Sequence, residues 1–244
     1  MLKINSLKFG YDKKRSNSFS DFIEKGSLIF VIGPNGSGKT SLLKTLAGTL
    51  EPLDGSVDFK NQKLRNGLNS KERPAFLPAQ NFADENLIGQ DIFDLYVPGE
   101  SSWAGEELMT AFNVQSLLGL PLRQLSTGEQ KRIYLAATLS HPSDFVILDE
   151  PLNFLDWGLE FSAVEIILKQ LKMGRAFLVS VHNLSWCLRF ERSQTWVLNK
   201  CARVKTGPTA EVLVSSEVGE IFNFRSKISD NPIDGTKILV TAPK

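Results

Sequence analysis

The eight residues Gly33-Pro34-Asn35-Gly36-Ser37-Gly38-Lys39-Thr40 constrain this chain more than any other stretch. They fit the spacing G-x-x-x-x-G-K-[ST], and the context that the motif requires stands on both sides. Ser27 to Ile32 is short, apolar and partly β-branched, which predicts a buried strand. After the loop, Leu42, Leu43, Leu46, Ala47 and Leu50 recur at helical spacing. A strand that turns through glycines into a helix start aims several backbone N–H groups, and the positive end of the helix dipole, at one point. A polyphosphate belongs there, with the Lys39 ammonium on its outer phosphates and the Thr40 hydroxyl on Mg²⁺.

At 244 residues the chain fits one large domain, or one domain with an inserted subdomain. A formal charge of +1 argues against a non-specific nucleic-acid binder, so no nucleic-acid partner is expected. Apolar runs such as Leu28 to Ile32 are far shorter than the ~20 residues of a membrane-spanning helix. The N-terminus alternates like a strand and has no signal-peptide core, which places the chain in the cytoplasm. Cys187 and Cys201 do not make a zinc pattern or a disulfide framework and read as reduced thiols.

Along the chain, Leu2 to Phe9 and Phe19 to Ile23 read as strands, with a turn from Gly10 to Lys14 after the first. Short strands follow at Ser56 to Phe59 and Arg73 to Pro78, both provisionally antiparallel. From Phe82 to Leu120 the spacing becomes helical, broken at Pro98-Gly99, which suggests an inserted helical subdomain. Its apolar residues Phe82, Leu87, Ile88 and Phe93 exceed the needs of so small a core, so an exposed patch is expected among them. Past Arg225 the polar sequence reads as a loosely held tail.

A second helix start stands at Leu125-Ser126-Thr127-Gly128-Glu129-Gln130, where Ser126 and Glu129 have capping-box spacing. Then Asp144-Phe145-Val146-Ile147-Leu148-Asp149-Glu150-Pro151 is an apolar run ending in two carboxylates. At the C-terminal end of a buried parallel strand, Asp149 suits Mg²⁺ and Glu150 suits polarising the attacking water. Asp156 is a candidate N-cap for the next helix. His182 ends the strand from Ala176 and occupies the same topological place as Asp149, whereas His141 reads as a solvated loop residue. Two phosphate-directed helix starts for one triphosphate imply either two anion sites per chain or one nucleotide shared between two chains.

These motifs, with Asn153-Phe154-Leu155-Asp156, occur in the order seen in ATP-binding cassette (ABC) ATPases, and from Met1 to Phe222 the chain resembles that family. The resemblance implies an α/β fold with a P-loop NTPase (RecA-like) core sheet, an antiparallel β subdomain and an inserted α-helical subdomain. In numbers, this means core segments 1–81 and 143–225, a helical subdomain 82–142 and a tail 226–244. It implies ATP hydrolysis with Mg²⁺. Tyr11 would stack on adenine, Asn35, Gly36, Ser37, Gly38, Lys39, Thr40 and Ser41 would cradle the triphosphate, and Ser126, Thr127, Gly128 and Glu129 would cap the partner chain's ATP. Asp156 would lie in the loop crossing the dimer interface, Glu150 would be the catalytic carboxylate and His182 the switch histidine.

Thr127 departs from the glycine usual in the signature, and Asn183 from the aspartate common after the histidine. The family's glutamine that reaches Mg²⁺ and water corresponds to Gln80 only after a one-residue adjustment, since ungapped alignment places Ala79 there; Gln80 is the expected residue. The resemblance further implies a homodimer on the cytoplasmic face of a membrane, transmembrane permease subunits and, indirectly, a solute-binding protein. The ending Thr206 to Leu213 with Glu220-Ile221-Phe222 is similar to importers of iron–siderophore complexes, haem and cobalamin. An exporter subunit or a regulatory ATP-binding module are the alternatives, and the cargo is not legible.

Overall fold

A computed structural model describes residues 1–11, 17–65, 68–69, 72–80, 86–97 and 105–244. The chain begins with β1 (Leu2–Lys8), β2 (Phe19–Ile23) and β3 (Leu28–Ile32), followed by α1 (Lys39–Leu46), β4 (Asp54–Phe59), β5 (Gln62–Lys63) and β6 (Ala75–Leu77). The helical insert carries α2 (Gly89–Tyr96), α3 (Gly105–Ala111) and α4 (Thr127–Ser140). Then come β7 (Phe145–Asp149), α5 (Trp157–Lys172), β8 (Ala176–Ser180), β9 (Ser193–Asn199) and β10 (Ala202–Pro208). The chain ends with α6 (Thr209–Leu213), α7 (Ser216–Phe222), β11 (Phe224–Asp230) and β12 (Lys237–Pro243).

The main sheet has the order β10-β9-β3-β8-β7-β6, and a second, antiparallel sheet has the order β2-β1-β4-β5. β3 is buried at every residue, and its side chains alternate between two cores. Leu28, Phe30 and Ile32 face the core shared with α4, α5 and the insert. Ile29 and Val31 face the core filled by Leu42, Leu43 and Leu46 of α1 and by the antiparallel sheet. Burial of one such leucine stabilises by about 2 kcal/mol, so α1 and the loop before it are anchored by packing rather than helix propensity.

Three sequence expectations are corrected, for β6, His141 and the tail. β6 does not join the antiparallel sheet but pairs in parallel with β7, Ala75 opposite Val146. Among the described residues of the insert Phe93 is buried, Leu87 and Ile88 are half-buried, and Leu95 and Leu120 are exposed; Phe82 and Pro98-Gly99 lie outside the described residues, as do Asp12 to Lys14. His141 is buried rather than solvated, because the fully buried guanidinium of Arg175 ties its carbonyl (2.6 Å) to those of Leu139 (2.5 Å) and Ser143 (2.9 Å). The stretch expected to be a loose tail is the hairpin β11–β12, whose Phe224 and Leu239 pack on the main core. The Ser226 hydroxyl also donates to Leu213 O at 2.8 Å. Cys187 and Cys201 are free thiols. No helix among the described residues is long and apolar enough to cross a membrane.

Candidate active site

Because β3, β7 and β8 run parallel, the loop after Ile32, the carboxylates after Leu148 and the residues after Ser180 leave the sheet at one edge. Register places Ser180 opposite Asp149. Its hydroxyl donates to Asp149 Oδ1 at 2.5 Å and accepts from the Glu150 N–H at 2.9 Å. One side chain thus fixes both carboxylate residues. Glu150 has φ 52°, a left-handed conformation uncommon for a residue with a Cβ, and the Ser180 bond helps hold it. Turned this way, Glu150 Oε1 lies 2.6 Å from His182 Nε2, and Oε2 accepts from Asn153 Nδ2 at 2.7 Å. These groups line a cavity of about 110 Å³ together with Trp186 and Glu160.

Asp149 is fully buried, and its Oδ2 has no hydrogen-bond partner among the described residues. A buried, unpaired carboxylate oxygen is costly unless a cation completes it. Mg²⁺, a hard ion held by one or two carboxylates, fits that need. Thr40, half-buried in the first turn of α1, brings a hydroxyl of the type that such an ion takes.

The phosphate loop is built for close approach. Gly38 has φ 97°, and a Cβ there would come within 3.0 Å of Cys201 Sγ, so a side chain would be both strained and crowded. No side chain caps α1, and the buried Ser37 hydroxyl has no partner among the described residues. Those donors fit phosphate oxygens. The Lys39 ammonium donates to Gly33 O at 2.8 Å. Burial pushes its pKa down, and Glu150 and Asp149 partly offset that effect. Asn35 and Gly36 are exposed beside it, and Ser41 is half-buried. Tyr11 and Gln80 are exposed, and the residues after each lie outside the described set.

The second helix start forms the expected capping box. Ser126 Oγ accepts from the Glu129 N–H at 3.3 Å, and Glu129 Oε2 accepts from the Ser126 N–H at 2.8 Å. Ser126 and Thr127 are exposed. Gly128 is set against the loop before α5, where a Cβ would come within 2.9 Å of Phe154 O. Asp156 caps α5, accepting from the Leu159 N–H at 2.9 Å.

Sequence reasoning missed Ser180 as a part of this site, and it quoted Asn153 in a motif without seeing its hold on Glu150. Ser180 had a signal, a lone hydroxyl ending an apolar strand, but its partner becomes visible only through register. Lys131 is buried on α4, and burial pushes its ammonium down to about 8, while Asp149 and Glu150 act to raise it.

A family description, ABC transporter, matches residues 17–153, more than half of the chain. The chain belongs to the ABC transporter family and is an ATP-binding, ATP-hydrolysing cassette of it. It is 25% identical over 228 residues to the hemin import ATP-binding protein HmuV of Rhodococcus jostii (strain RHA1), covering 88% of this chain and 77% of that protein. It is 26% identical over 259 residues to the iron(3+)-hydroxamate import ATP-binding protein FhuC of Bacillus subtilis (strain 168), covering 98% and 94%. Among solved structures, a dimeric ATP-binding cassette in a post-hydrolysis state bound to ADP and Pi matches with a TM-score of 0.72. That match covers 86% of this chain and 100% of the other at 18% identity, a likeness of fold.

Proposed function

We propose that this chain is the ATPase subunit of a membrane importer, and that it powers uptake of an iron complex, haem or cobalamin through a separate permease on the cytoplasmic face. The observation that carries the chemistry is the Glu150 carboxylate, oriented at once by His182 and Asn153 and adjoining the unpaired Asp149 oxygen. Support for import of iron complexes comes from what the haem and hydroxamate relatives are named for.

In this reading the phosphate loop and Lys39 hold the triphosphate, and Tyr11 stacks on the base. Asp149, Thr40 and Gln80 would hold Mg²⁺, which when bound neutralises charge developing on the β- and γ-phosphates. Glu150 accepts a proton from water as it attacks the γ-phosphorus, and the β–γ bridging bond breaks to leave ADP and inorganic phosphate. His182 fixes the carboxylate that does this and would touch the γ-phosphate of a bound nucleotide. Two chains share each nucleotide, Lys39 of one with Ser126 to Glu129 of the other, which accounts for the second exposed helix start. Asp156 and its loop lie at that junction.

Between β6 and α2 runs a groove of about 230 Å³ lined by Thr49, Arg73, Pro74, Phe76, Leu95 and Tyr96. We assign it to a permease segment, since it carries the exposed Leu95 and borders the strand that leads to Gln80. The test is a search for a polytopic permease gene beside this one, co-purification of the two products, and reconstitution in liposomes with a solute-binding protein. ATP-dependent accumulation of haem, a ferric hydroxamate or cobalamin is expected. ATP-driven movement in the opposite direction would overturn the assignment to import.

A further inference from the structure

β9 and β10 are joined by a two-residue loop, since Asn199 pairs with Ala202 and Lys200 and Cys201 stand between them. Both loop residues take a left-handed φ, 49° and 59°, in a hairpin type that favours glycine at its second position. A cysteine is strained there where glycine would not be, and such strain persists when surrounding contacts hold the residue in place. The contacts of Cys201 lie on the nucleotide side of the molecule. Its N–H donates to Ser37 O at 2.9 Å, which ties the turn to the phosphate loop. Its Sγ would lie 3.0 Å from a Cβ on Gly38 and 3.5 Å from one on Gly10. Gly38 directly precedes Lys39, and Gly10 directly precedes Tyr11. One thiol is therefore wedged between the phosphate loop and the segment that ends on Tyr11. Earlier in the same hairpin, the Leu198 carbonyl presses on the other end of the loop, where a Cβ on Gly33 would come within 2.5 Å of it.

We propose that Cys201 is a positioning residue for ATP: its side chain sets the spacing between the phosphate loop and Tyr11, so that one nucleotide fits both. The proposal rests on the reading of Tyr11 as the residue that stacks on the base. A nucleotide joins its base and its phosphates at a limited covalent span, and a site that presets this span loses less freedom on binding. The thiol suits the task because it packs as a small hydrophobe, here on the core that holds Phe9, Leu42 and Leu43. It acts through Gly38 and Gly10 rather than by touching the reacting atoms.

Two substitutions isolate the side chain. Cys201→Gly removes it, relieves the left-handed φ and keeps the N–H that bonds Ser37. Cys201→Ser keeps a side chain of nearly the same size. Isothermal titration calorimetry on the full chain compares AMP-PNP, a non-hydrolysable ATP analogue, with inorganic tripolyphosphate, which has no base. In Cys201→Gly the AMP-PNP dissociation constant should rise about three- to tenfold, while that of tripolyphosphate stays within about twofold of the parent. Cys201→Ser should restore most of the AMP-PNP affinity. In steady-state assays the KM for ATP should rise in Cys201→Gly with kcat little changed, and this variant should melt no lower than the parent. Parental AMP-PNP affinity in Cys201→Gly overturns the proposal. So does an equal loss for both ligands, or a loss that comes with a lower melting temperature, because the thiol would then only fill space. Tyr11→Ala is the control: it must weaken AMP-PNP and spare tripolyphosphate. If it does so while Cys201→Gly behaves as the parent, only this proposal falls; if it does not, the reading of Tyr11 falls with it.

Discussion

His141 gives a prediction whose size follows from its surroundings. The ring is 3% exposed, and its Nδ1 accepts the Ser143 N–H at 3.0 Å, a bond that only the neutral imidazole can accept. Burial first, then the positive charges of Arg175, Lys60 and Arg73, push its pKa down to about 4. In the unfolded chain the ordinary value of about 6.5 applies, so between these values the unfolded state holds more protons. Stability from this residue is complete above about pH 6.5 and is lost as the pH falls towards 4. Between pH 7.5 and pH 5 the loss is ~2 kcal/mol. His141→Asn removes the titration while its amide oxygen can accept the same N–H two residues on, as in an Asx turn. Urea unfolding followed by tryptophan fluorescence at both pH values is the assay. The parent should lose ~2 kcal/mol more than the variant on acidification, since carboxylates common to both cancel. Equal losses in the two proteins would refute the reasoning.

Ser180→Ala removes a bond to Asp149 and another to Glu150, so turnover should fall by one to two orders of magnitude while ATP affinity, read by nucleotide fluorescence titration, changes little. Gly128→Ala places a methyl against Phe154 O, and the start of α4 must shift; hydrolysis should drop sharply with the melting temperature nearly kept. Gln80→Ala should lower kcat more than it raises KM, and unchanged turnover would remove Gln80 from the site.

Much of the site was legible because its chemistry is local. The Gly33 to Thr40 loop, the Ser126–Glu129 box and the Asp149–Glu150 strand end each carry their signal within a few residues, and each folds as that signal requires. What stayed hidden depends on partners remote in sequence. Arg175 lies 34 residues from His141, and nothing near the histidine announces that it is buried. β6 is three residues long, too short for periodicity to report that it extends the parallel sheet. β11 alternates half-buried and exposed residues in a polar sequence, a pattern that reads as tail until β12 pairs with it. Ser180 becomes functional only through the register that sets it opposite Asp149.

The most direct test of the central claim is Glu150→Gln, examined by analytical ultracentrifugation with and without Mg–ATP alongside an ATPase assay. The amide keeps the size of the side chain and its bond to Asn153 is replaceable, but it cannot accept a proton from water. Turnover should fall at least ~100-fold, and the protein should be a monomer without nucleotide and a stable dimer with ATP. Hydrolysis at the parental rate would contradict the role given to Glu150, and a variant that binds ATP yet stays monomeric would contradict the shared site.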